Sequence, residues 1–395
     1  MPQRKRALGG RDRQLARVED HAPGNRHQLT TNLQPPTPKV IVAATTSSLG
    51  VGSWIWELSC LLSVLILDSD HVERLLPMSE CIGVMEQALA DLERGAVTQP
   101  LRSFWLPPRV NGATVWMSAH RSAPKPMFGT KLLFVLGDNP SRGLDSHQGQ
   151  VILADGETGQ IRALLDASAV TGIRTAAVSA LATRLLARED AKVLAIVGTG
   201  VQARRHLESI PLVRPFTSVL IAGHTPDRAR RFVEEAGSTL PCPITAADTV
   251  EDAVRAADVV VTVTDSHTPI LFREWLRPGT HVNAVGASRP MHWEIDPRLY
   301  ADAVAFCDRR ESLCAEAGDY LRAVSDRLIA GAEQIGELGE VIVGKRKGRT
   351  SPEQITLFRS LGLAVEDLAA AEFVVEKARS SALPSIDKDS AGSPH

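Results

Sequence analysis

At its centre the chain reads Val193-Leu194-Ala195-Ile196-Val197-Gly198-Thr199-Gly200-Val201-Gln202-Ala203, an apolar run followed by a glycine-rich turn and the start of a helix. Gly198 allows the tight turn, and Gly200 allows backbone amides to approach a pyrophosphate closely. Ala203 provides the small side chain needed where the helix packs on the strand. The helix N-terminus adds N–H donors and the positive end of its dipole. The segment therefore predicts a dinucleotide-binding loop if a parallel sheet surrounds it.

The segments after this loop alternate between apolar runs and helical stretches, which is typical of a parallel sheet with crossover helices. Besides Val193–Val197, the predicted strands are Ser218–Ala222, Val259–Thr264, His281–Val285 and Ala303–Cys307. The predicted helices are Val201–Ser209, Pro226–Ala236 and Thr249–Ala256. We therefore predict an α/β protein in which residues 189–319 form a Rossmann-type NAD(P)-binding domain.

The end of the second predicted strand indicates which nucleotide binds. An NAD site usually has Asp or Glu there, because a carboxylate binds the ribose hydroxyls. This chain instead has His224, Thr225 and Arg228, which suit a 2′-phosphate that a carboxylate would repel. The pattern favours NADP(H) and leaves NAD(H) open. The predicted cofactor-binding residues are Gly198, Thr199, Gly200, Val201, Gln202, His224, Thr225, Arg228, Thr264, Val285 and Gly286.

The composition limits the class of protein. A length of 395 residues predicts two domains, and the formal charge of −2 does not favour nucleic acid or an anionic membrane as a partner. The five cysteines form no C-x-x-C pair, which favours a reducing compartment and therefore a cytoplasmic location. Their spacing fits no zinc knuckle, so we expect no metal site.

The two ends of the chain differ from the rest. Residues 1–62 carry eight Lys or Arg against four Asp or Glu and show no helix or strand period up to Lys39. The apolar stretch that follows is interrupted by Glu57 and diluted by Ser, Thr and Gly, so we predict no membrane span. We expect residues 1–62 to be a disordered extension or the product of a mis-assigned translation start. Residues 380–395, rich in Ser, Pro and Asp, predict a disordered tail.

Between residues 100 and 165 the pattern changes to short strands separated by turns, after one earlier short strand near residue 64. A long helix with many small residues, Ala167–Ala187, follows the last strand, and Leu357–Lys377 predicts another helix near the C-terminus. The predicted strands are Val64–Leu67, Val115–Ser118, Lys131–Leu136, Gln150–Leu153 and Ile161–Leu165.

Three cations and one carboxylate are candidate site residues. Arg102, Lys131 and Arg174 fall in three different elements, and Arg174 lies on a predicted buried helix, where an arginine needs an anionic partner. Such cations serve structural ion pairs or, where they converge, bind a carboxylate substrate and transfer a proton. Asp265 ends a predicted parallel strand, so it either borders the ligand crevice or caps a turn. We interpret the neighbouring His267 as a loop residue.

Four separated stretches, in this order, resemble the ornithine cyclodeaminase/mu-crystallin family, and the resemblance covers about residues 64–378. The stretches are Arg174-Thr175-Ala176-Ala177-Val178-Ser179-Ala180, Gly198-Thr199-Gly200-Val201-Gln202-Ala203, Pro278-Gly279-Thr280-His281-Val282-Asn283-Ala284-Val285-Gly286-Ala287-Ser288-Arg289-Pro290 and Phe358-Arg359-Ser360-Leu361-Gly362-Leu363-Ala364-Val365-Glu366-Asp367.

The resemblance implies a homodimer in which residues 63–188, with 320–379, form a substrate-binding and dimerisation domain. It implies that Arg102 and Arg174 bind the substrate carboxylate, with Lys131 near the reacting nitrogen and carboxylate. Asp265 falls where the cyclodeaminases have an aspartate that handles the side-chain amine. By contrast, Gly286-Ala287-Ser288-Arg289-Pro290 is similar to the reductases of the family. Lys131 and Asp265 are therefore the predicted catalytic residues.

The resemblance leaves several activities open. The leading expectation is NAD(P)H-dependent reduction of a small 2-imino acid or cyclic ketimine carboxylate, with hydride transfer at the imine carbon. The alternatives are cyclodeamination of L-ornithine to L-proline and ammonia with catalytic NAD, and amino-acid dehydrogenation, as by an alanine dehydrogenase. A non-catalytic, NADPH-dependent binding protein for a small ligand is a fourth reading. The presence of all three cations favours an enzyme.

Overall fold

Two β-sheets organise residues 64–382, the part of the chain that the computed structural model describes. The predicted extension over residues 1–62 and the tail beyond residue 382 lie outside the described residues. The first sheet contains β1 (Leu65–Leu67), β2 (Val97–Thr98), β3 (Ser103–Trp105), β4 (Gly112–Arg121), β5 (Met127–Leu136), β6 (His147–Asp155) and β7 (Ile161–Asp166). The second contains β8 (Val193–Val197), β9 (Ser218–Ala222), β10 (Ile244–Ala246), β11 (Val259–Thr262), β12 (His281–Ala284), β13 (Val304–Cys307), β14 (Gly336–Glu337) and β15 (Thr356–Arg359).

Eleven α-helices accompany these sheets within the described residues. They are α1 (Ser69–Leu75), α2 (Met78–Glu93), α3 (Ala167–Leu186), α4 (Val201–Ser209), α5 (Pro226–Ala236), α6 (Val250–Ala256), α7 (Leu299–Asp302), α8 (Arg310–Glu316), α9 (Gly318–Ser325), α10 (Leu338–Ile342) and α11 (Ala364–Ala382).

The first sheet has the strand order β1-β7-β6-β5-β4-β2, with β3 also paired to β4. Its neighbours are antiparallel except for β1 and β7. All five strands predicted here are present. One face is buried and the other is open: in β5, Lys131 and Leu133 are buried, whereas Phe128 and Phe134 are exposed. This alternation places Lys131 on the inner face of the sheet.

The second sheet is entirely parallel, with the order β10-β9-β8-β11-β12-β15-β13-β14. Strands β8 and β9 and helices α4 and α5 have the predicted bounds, and the Rossmann-type fold is confirmed. From β8 the chain runs outward through β9 and β10, and then continues on the other side at β11. The strand order therefore reverses between β8 and β11, which is where such sheets form a ligand crevice.

The C-terminal region corrects one prediction. The helix predicted over Leu357–Lys377 is wrong at its start, because Thr356–Arg359 is strand β15, between β12 and β13. Helix α11 begins at Ala364 and continues to Ala382, so residues 380–382 of the predicted tail are helical. A short buried strand cannot be distinguished from a buried helix by periodicity. Strands β14 and β15 also belong to the parallel sheet. From the sequence we assigned residues 320–379 to the substrate-binding domain instead, and the domain limits stay a prediction.

Helix α3 lies at the centre of the molecule. It packs on β6 of the first sheet and on β12 and β15 of the second. Ala176, Ala177 and Ala180 are fully buried on it, and their small side chains allow close approach. The same helix carries Arg174 into the interior. Within residues 64–382, neither α3 nor another helix is long and apolar enough to cross a membrane.

Candidate active site

The glycine-rich loop after β8 opens onto a cleft. Gly198 has φ = 134°, and a Cβ at this position would lie 2.7 Å from the Val263 carbonyl oxygen, so only glycine fits. Gly200 is the N-cap of α4, and the space beside it is open. The cleft has a volume of about 950 Å³ and lies at the carboxyl ends of β8 and β11. It has the position and the open helix N-terminus that a pyrophosphate requires.

The structure brings six of the eleven predicted cofactor residues to the cleft wall: Gly198, Thr199, Gly200, His224, Arg228 and Thr264. The other five do not line the cleft. Thr225 caps helix α5 by accepting a hydrogen bond from the Arg228 amide. Val201 and Gln202 form the first turn of α4, and Val285 and Gly286 follow β12. Their roles stay predictions.

One end of the cleft is rich in arginine. Arg204, Arg228 and Arg231 line it together with a single acid, Glu235, which forms ion pairs with Arg204 and Arg231. The Arg204 guanidinium also lies 5.1 Å from the centre of the Phe232 ring. Sequence reasoning did not predict Arg204, Arg231 or Glu235 as residues of this cleft. Since the cations outnumber the acid, this end favours an anionic group.

A buried carboxyl, Glu294, joins the loops at the other end of the cleft. It accepts hydrogen bonds from the backbone amides of Thr264 and Gly286 and from the Thr262 hydroxyl. Burial raises the pKa of Glu294, while the hydrogen bonds from Thr264 lower it. A Cβ on Gly286 would lie 2.0 Å from the Thr264 carbonyl oxygen, so glycine is required there. These bonds end β11 at Thr262 and β12 at Ala284, earlier than predicted.

The three predicted substrate cations converge on the turn after β15 and on the first turn of α11. Lys131 Nζ lies 2.9 Å from Asp367 Oδ1 and 3.1 Å from the Thr171 hydroxyl. The Arg174 guanidinium donates to Asp367 at 3.0 Å and to Glu366 at 2.7 Å. Sequence reasoning required an anion for Arg174 but did not identify it.

Arg102 completes this cluster from the other side. Its Nε donates to Glu316 at 3.0 Å, and its Nη2 donates at 2.6 Å to the carbonyl oxygens of both Leu361 and Gly362. Asp308 accepts the amides of Leu361 and Gly362 at 2.6 and 2.7 Å and so fixes the same turn. Sequence reasoning missed Asp308 and Glu316, because no local pattern distinguishes them from surface acids.

The cations keep donors free for a ligand. Within residues 64–382, no hydrogen bond engages Arg102 Nη1 or Arg174 Nη2. Lys131 has three N–H groups and uses them on only two partners, Thr171 and Asp367. The cations therefore form structural ion pairs, and their binding of a substrate carboxylate through the remaining donors stays a prediction.

Lys131 is the titratable member of the cluster. Burial lowers its pKa to about 8, against the opposing effect of Asp367 and with a further lowering by Arg174. An ammonium with this pKa is mostly charged at pH 7 and loses its proton readily. It combines anion binding with the capacity to donate a proton.

Asp265 lies three residues beyond β11 and lines the cleft with His267. Its carboxylate is 3.8 Å from His292 Nδ1, and the His267 and His292 rings stack with centroids 3.8 Å apart. The donor atoms of all three lie within 4.8 Å of one another, a set that zinc accepts. Burial lowers the pKa of His292, as do His267 and Arg289, whereas Asp265 raises it; the Arg289 guanidinium also opposes a metal cation. The expected absence of a metal site stays a prediction.

The first domain reaches the same region through His147 on β6. Burial lowers the pKa of His147, Asp145 and Asp265 raise it, and Lys131 and Arg289 lower it. Its ring remains exposed to solvent even though protein surrounds it. Charges from both sheets therefore act on this imidazole.

Comparison with known proteins agrees with this geometry. The model of the ornithine cyclodeaminase/mu-crystallin family matches residues 63–382. The chain is 39% identical to the mouse (Mus musculus) ketimine reductase mu-crystallin over 314 residues, 78% of this chain and 96% of the relative. The structure is similar to Thermococcus litoralis Δ1-pyrroline-2-carboxylate reductase in complex with NADH and L-proline, with a TM-score of 0.77, 31% identity and coverage of 80% and 98% of the two chains. It is also similar to an archaeal alanine dehydrogenase dimer with bound NAD, with a TM-score of 0.75, 32% identity and coverage of 81% and 97%. The chain belongs to the ornithine cyclodeaminase/mu-crystallin family.

Proposed function

We propose that this chain is an NAD(P)H-dependent imine reductase that acts on a small 2-imino acid or a cyclic ketimine carboxylate. The observation that carries the proposal is the cluster of Arg102, Lys131 and Arg174, in which Arg102 Nη1 and Arg174 Nη2 have no hydrogen-bond partner within the described residues. Relatives named as ketimine and pyrroline-2-carboxylate reductases support the same chemistry.

The residues of the cleft fit a nicotinamide dinucleotide, because Gly198 and Gly200 leave the helix N-terminus open and arginines line one end. When bound, the reduced cofactor supplies a hydride for the imine carbon. Arg102 and Arg174 hold the substrate carboxylate through their free Nη groups and so orient the imine. Lys131 donates a proton to the nitrogen, and Asp367 keeps its ammonium in place.

The direct test follows the absorbance of NADPH at 340 nm with Δ1-pyrroline-2-carboxylate as substrate. We expect rapid oxidation that depends on both compounds. Absence of oxidation at saturating NADPH and NADH, with cofactor binding confirmed by fluorescence, would contradict the proposed activity.

We further propose that the chain prefers NADP(H) to NAD(H). His224 and Arg228 line the cleft beyond β9, and no acid stands at the tip of that strand. Asp227, the nearest acid, is exposed and pairs with Arg230. A 2′-phosphate therefore meets His224 and Arg228 with no carboxylate at the tip of the strand.

Substitution of Arg228 by alanine tests this preference. We expect the KM for NADPH to rise about tenfold, because one exposed, charge-assisted hydrogen bond is lost, while the KM for NADH stays unchanged. Arg230→Ala is the matched control, since Arg230 lies on the same helix but outside the cleft. If Arg228→Ala raised the KM for NADPH and for NADH equally, the preference for NADP(H) would be contradicted. An equal rise in the KM for NADPH in Arg230→Ala would contradict the role of Arg228.

Ornithine cyclodeamination is the second candidate function, and the position of Asp265 in the cleft favours it. With L-ornithine and NAD we nevertheless expect no ammonia above the blank. Asp265→Ala should change the reduction of Δ1-pyrroline-2-carboxylate less than about tenfold, because Lys131 carries the proton transfer. Ammonia release by the wild type that disappears in Asp265→Ala would replace the reductase proposal. Alanine dehydrogenation is tested in the reductive direction, by following the absorbance of the reduced cofactor at 340 nm with pyruvate and ammonia.

We propose that the chain forms a homodimer through the outer face of its first sheet. The strand register places exposed apolar side chains together on this face: Ile66, Trp105, Trp116, Phe128 and Phe134. An apolar sheet face of this kind is typical of an interface rather than of a solvated surface. A two-fold axis would pair the face with its own copy.

Phe128→Glu tests the dimer. We expect the dissociation constant measured by analytical ultracentrifugation to rise at least about a hundredfold, because two uncompensated carboxylates enter the interface. Leu212→Glu is the control, since Leu212 is an exposed apolar residue outside this sheet. A dimer that survives Phe128→Glu unchanged would exclude this face.

A further inference from the structure

The cluster at the substrate cations contains more carboxyl groups than cations. Arg102, Lys131 and Arg174 face four buried acids, which are Asp308, Glu316, Glu366 and Asp367. With every group ionised, the cluster has a net charge of −1. A substrate carboxylate adds one more negative charge to a buried site. Such an excess of like charge is costly unless a proton accompanies it.

The four acids are not equally compensated. Asp367 accepts from both Lys131 and Arg174, and Glu316 accepts from Arg102. Asp308 accepts three backbone amides, those of Arg309, Leu361 and Gly362. These bonds stabilise the ionised form of each acid.

Glu316 and Glu366 have the weakest compensation, and Glu366 is the more deeply buried of the two. Its Oε2 accepts from Arg174 Nη1 at 2.7 Å and from the Leu363 amide at 3.2 Å. Its Oε1 is buried and has no hydrogen-bond partner within the described residues. The side chain is fully buried, and the neighbouring carboxyls of Asp308 and Asp367 oppose its charge.

The surroundings of Glu366 come from several elements. Arg174 faces it from α3, Asp308 from the end of β13, and Asp367 from its own helix. Cys81 faces it from α2, and burial raises the pKa of that thiol to about 12, so it stays neutral. Burial raises the pKa of Glu366 to about 7, while Arg174 lowers it. Lys131 on β5 acts on the group through Asp367.

We propose that Glu366 takes up a proton from solvent when the substrate carboxylate binds and returns it when the product leaves. This inference rests on the proposed function. The ionised carboxylate becomes a carboxylic acid, no bond of the substrate changes, and the proton that Lys131 gives to the imine nitrogen is a separate one. Protonation weakens the ion pair between Glu366 and Arg174, so the guanidinium interacts more strongly with the substrate carboxylate. Glu366 is therefore a positioning residue that adjusts the charge of the site.

Calorimetric titration of the NADPH-saturated protein with pyrrole-2-carboxylate tests the proposal. The ring nitrogen of this probe stays uncharged near neutral pH, so it does not exchange protons itself. Titrations at pH 8 in phosphate and in Tris, which differ in ionisation enthalpy, give the number of protons taken up. Lys131 can contribute to this number in every variant, so the difference between wild type and Glu366→Gln isolates Glu366.

We expect the wild type to take up more than about half a proton beyond Glu366→Gln, because the carboxyl is largely ionised at pH 8. Above pH 8, the affinity for the probe should decline more steeply with pH in the wild type than in Glu366→Gln. The difference should be up to about tenfold for each pH unit. Glu366→Asp should retain proton uptake, and so should Glu376→Gln, an exposed control on the same helix. A purely structural role for Glu366 would lower affinity without changing the proton count.

Equal proton uptake by the wild type and Glu366→Gln would overturn the inference. If Glu366→Gln does not fold, an enthalpy of wild-type binding that is the same in both buffers would overturn it as well. Failure of the NADPH-bound wild type to bind the probe would overturn the carboxylate site itself, and with it the proposed function.

Discussion

Replacing Lys131 by methionine should lower kcat for Δ1-pyrroline-2-carboxylate by about 10²–10⁴-fold, the range for loss of a positioned proton donor. The side chain is buried, and methionine fills a similar volume without a charge. Burial lowers the pKa of Lys131 to about 8, so the proton-donating form is lost as the pH rises through 8. The wild-type rate should therefore decline above pH 8, and this decline should be absent from the residual activity of the variant.

Two measurements separate a catalytic role of Lys131 from a structural one. The affinity of Lys131→Met for NADPH, measured by fluorescence, should match the wild type, because no part of the lysine lies on the nucleotide cleft. Lys125→Met, at an exposed position before β5, should be fully active. Turnover of Lys131→Met within about threefold of the wild type would remove Lys131 from the mechanism.

Local sequence was sufficient to predict the strands and helices next to the glycine-rich loop. Strand β8 is an uninterrupted apolar run followed by Gly198, and β9 is followed by Gly223 and the Thr225-Pro226 helix start. Such boundaries depend on neighbouring residues alone. Strand β15 was missed because only its pairing with β12 and β13, more than forty positions away along the chain, selects a strand over a helix.

The cations of the site were predicted, but most of their partners were not. A buried arginine requires an anion, yet Asp367 lies 193 positions from Arg174. Glu316 lies 214 positions from Arg102, on a helix whose sequence resembles a solvated one. Burial of an acid depends on what the fold places around it, so single-sequence patterns do not reveal it. The charge balance of the site, and hence the role of Glu366, becomes visible only in three dimensions.

Gly362→Ala should cause the second large loss, a loss of affinity for the substrate carboxylate, because Gly362 contacts both Arg102 and Arg174. Its φ is 77°, and a Cβ would lie 2.4 Å from Arg174 Nη1 and 2.9 Å from Nη2. The Gly362 carbonyl oxygen also accepts from Arg102. Displacing Arg174 costs at least one charged hydrogen bond to the ligand, about 1.5–3 kcal/mol, so the affinity for pyrrole-2-carboxylate should fall about 10- to 150-fold. The KM for the imine should rise in parallel, while NADPH binding is retained.

Gly344→Ala is the matched control for this substitution. Gly344 has nearly the same conformation, with φ = 78°, but a Cβ there meets no atom within 4 Å. Both variants should therefore lose about 1–2 kcal/mol of stability from backbone strain, measured by urea unfolding. Only Gly362→Ala should also lose affinity for the carboxylate probe. Equal affinity in the two variants would mean that Arg174 does not bind the carboxylate, because strain is common to both and the collision with the guanidinium is not.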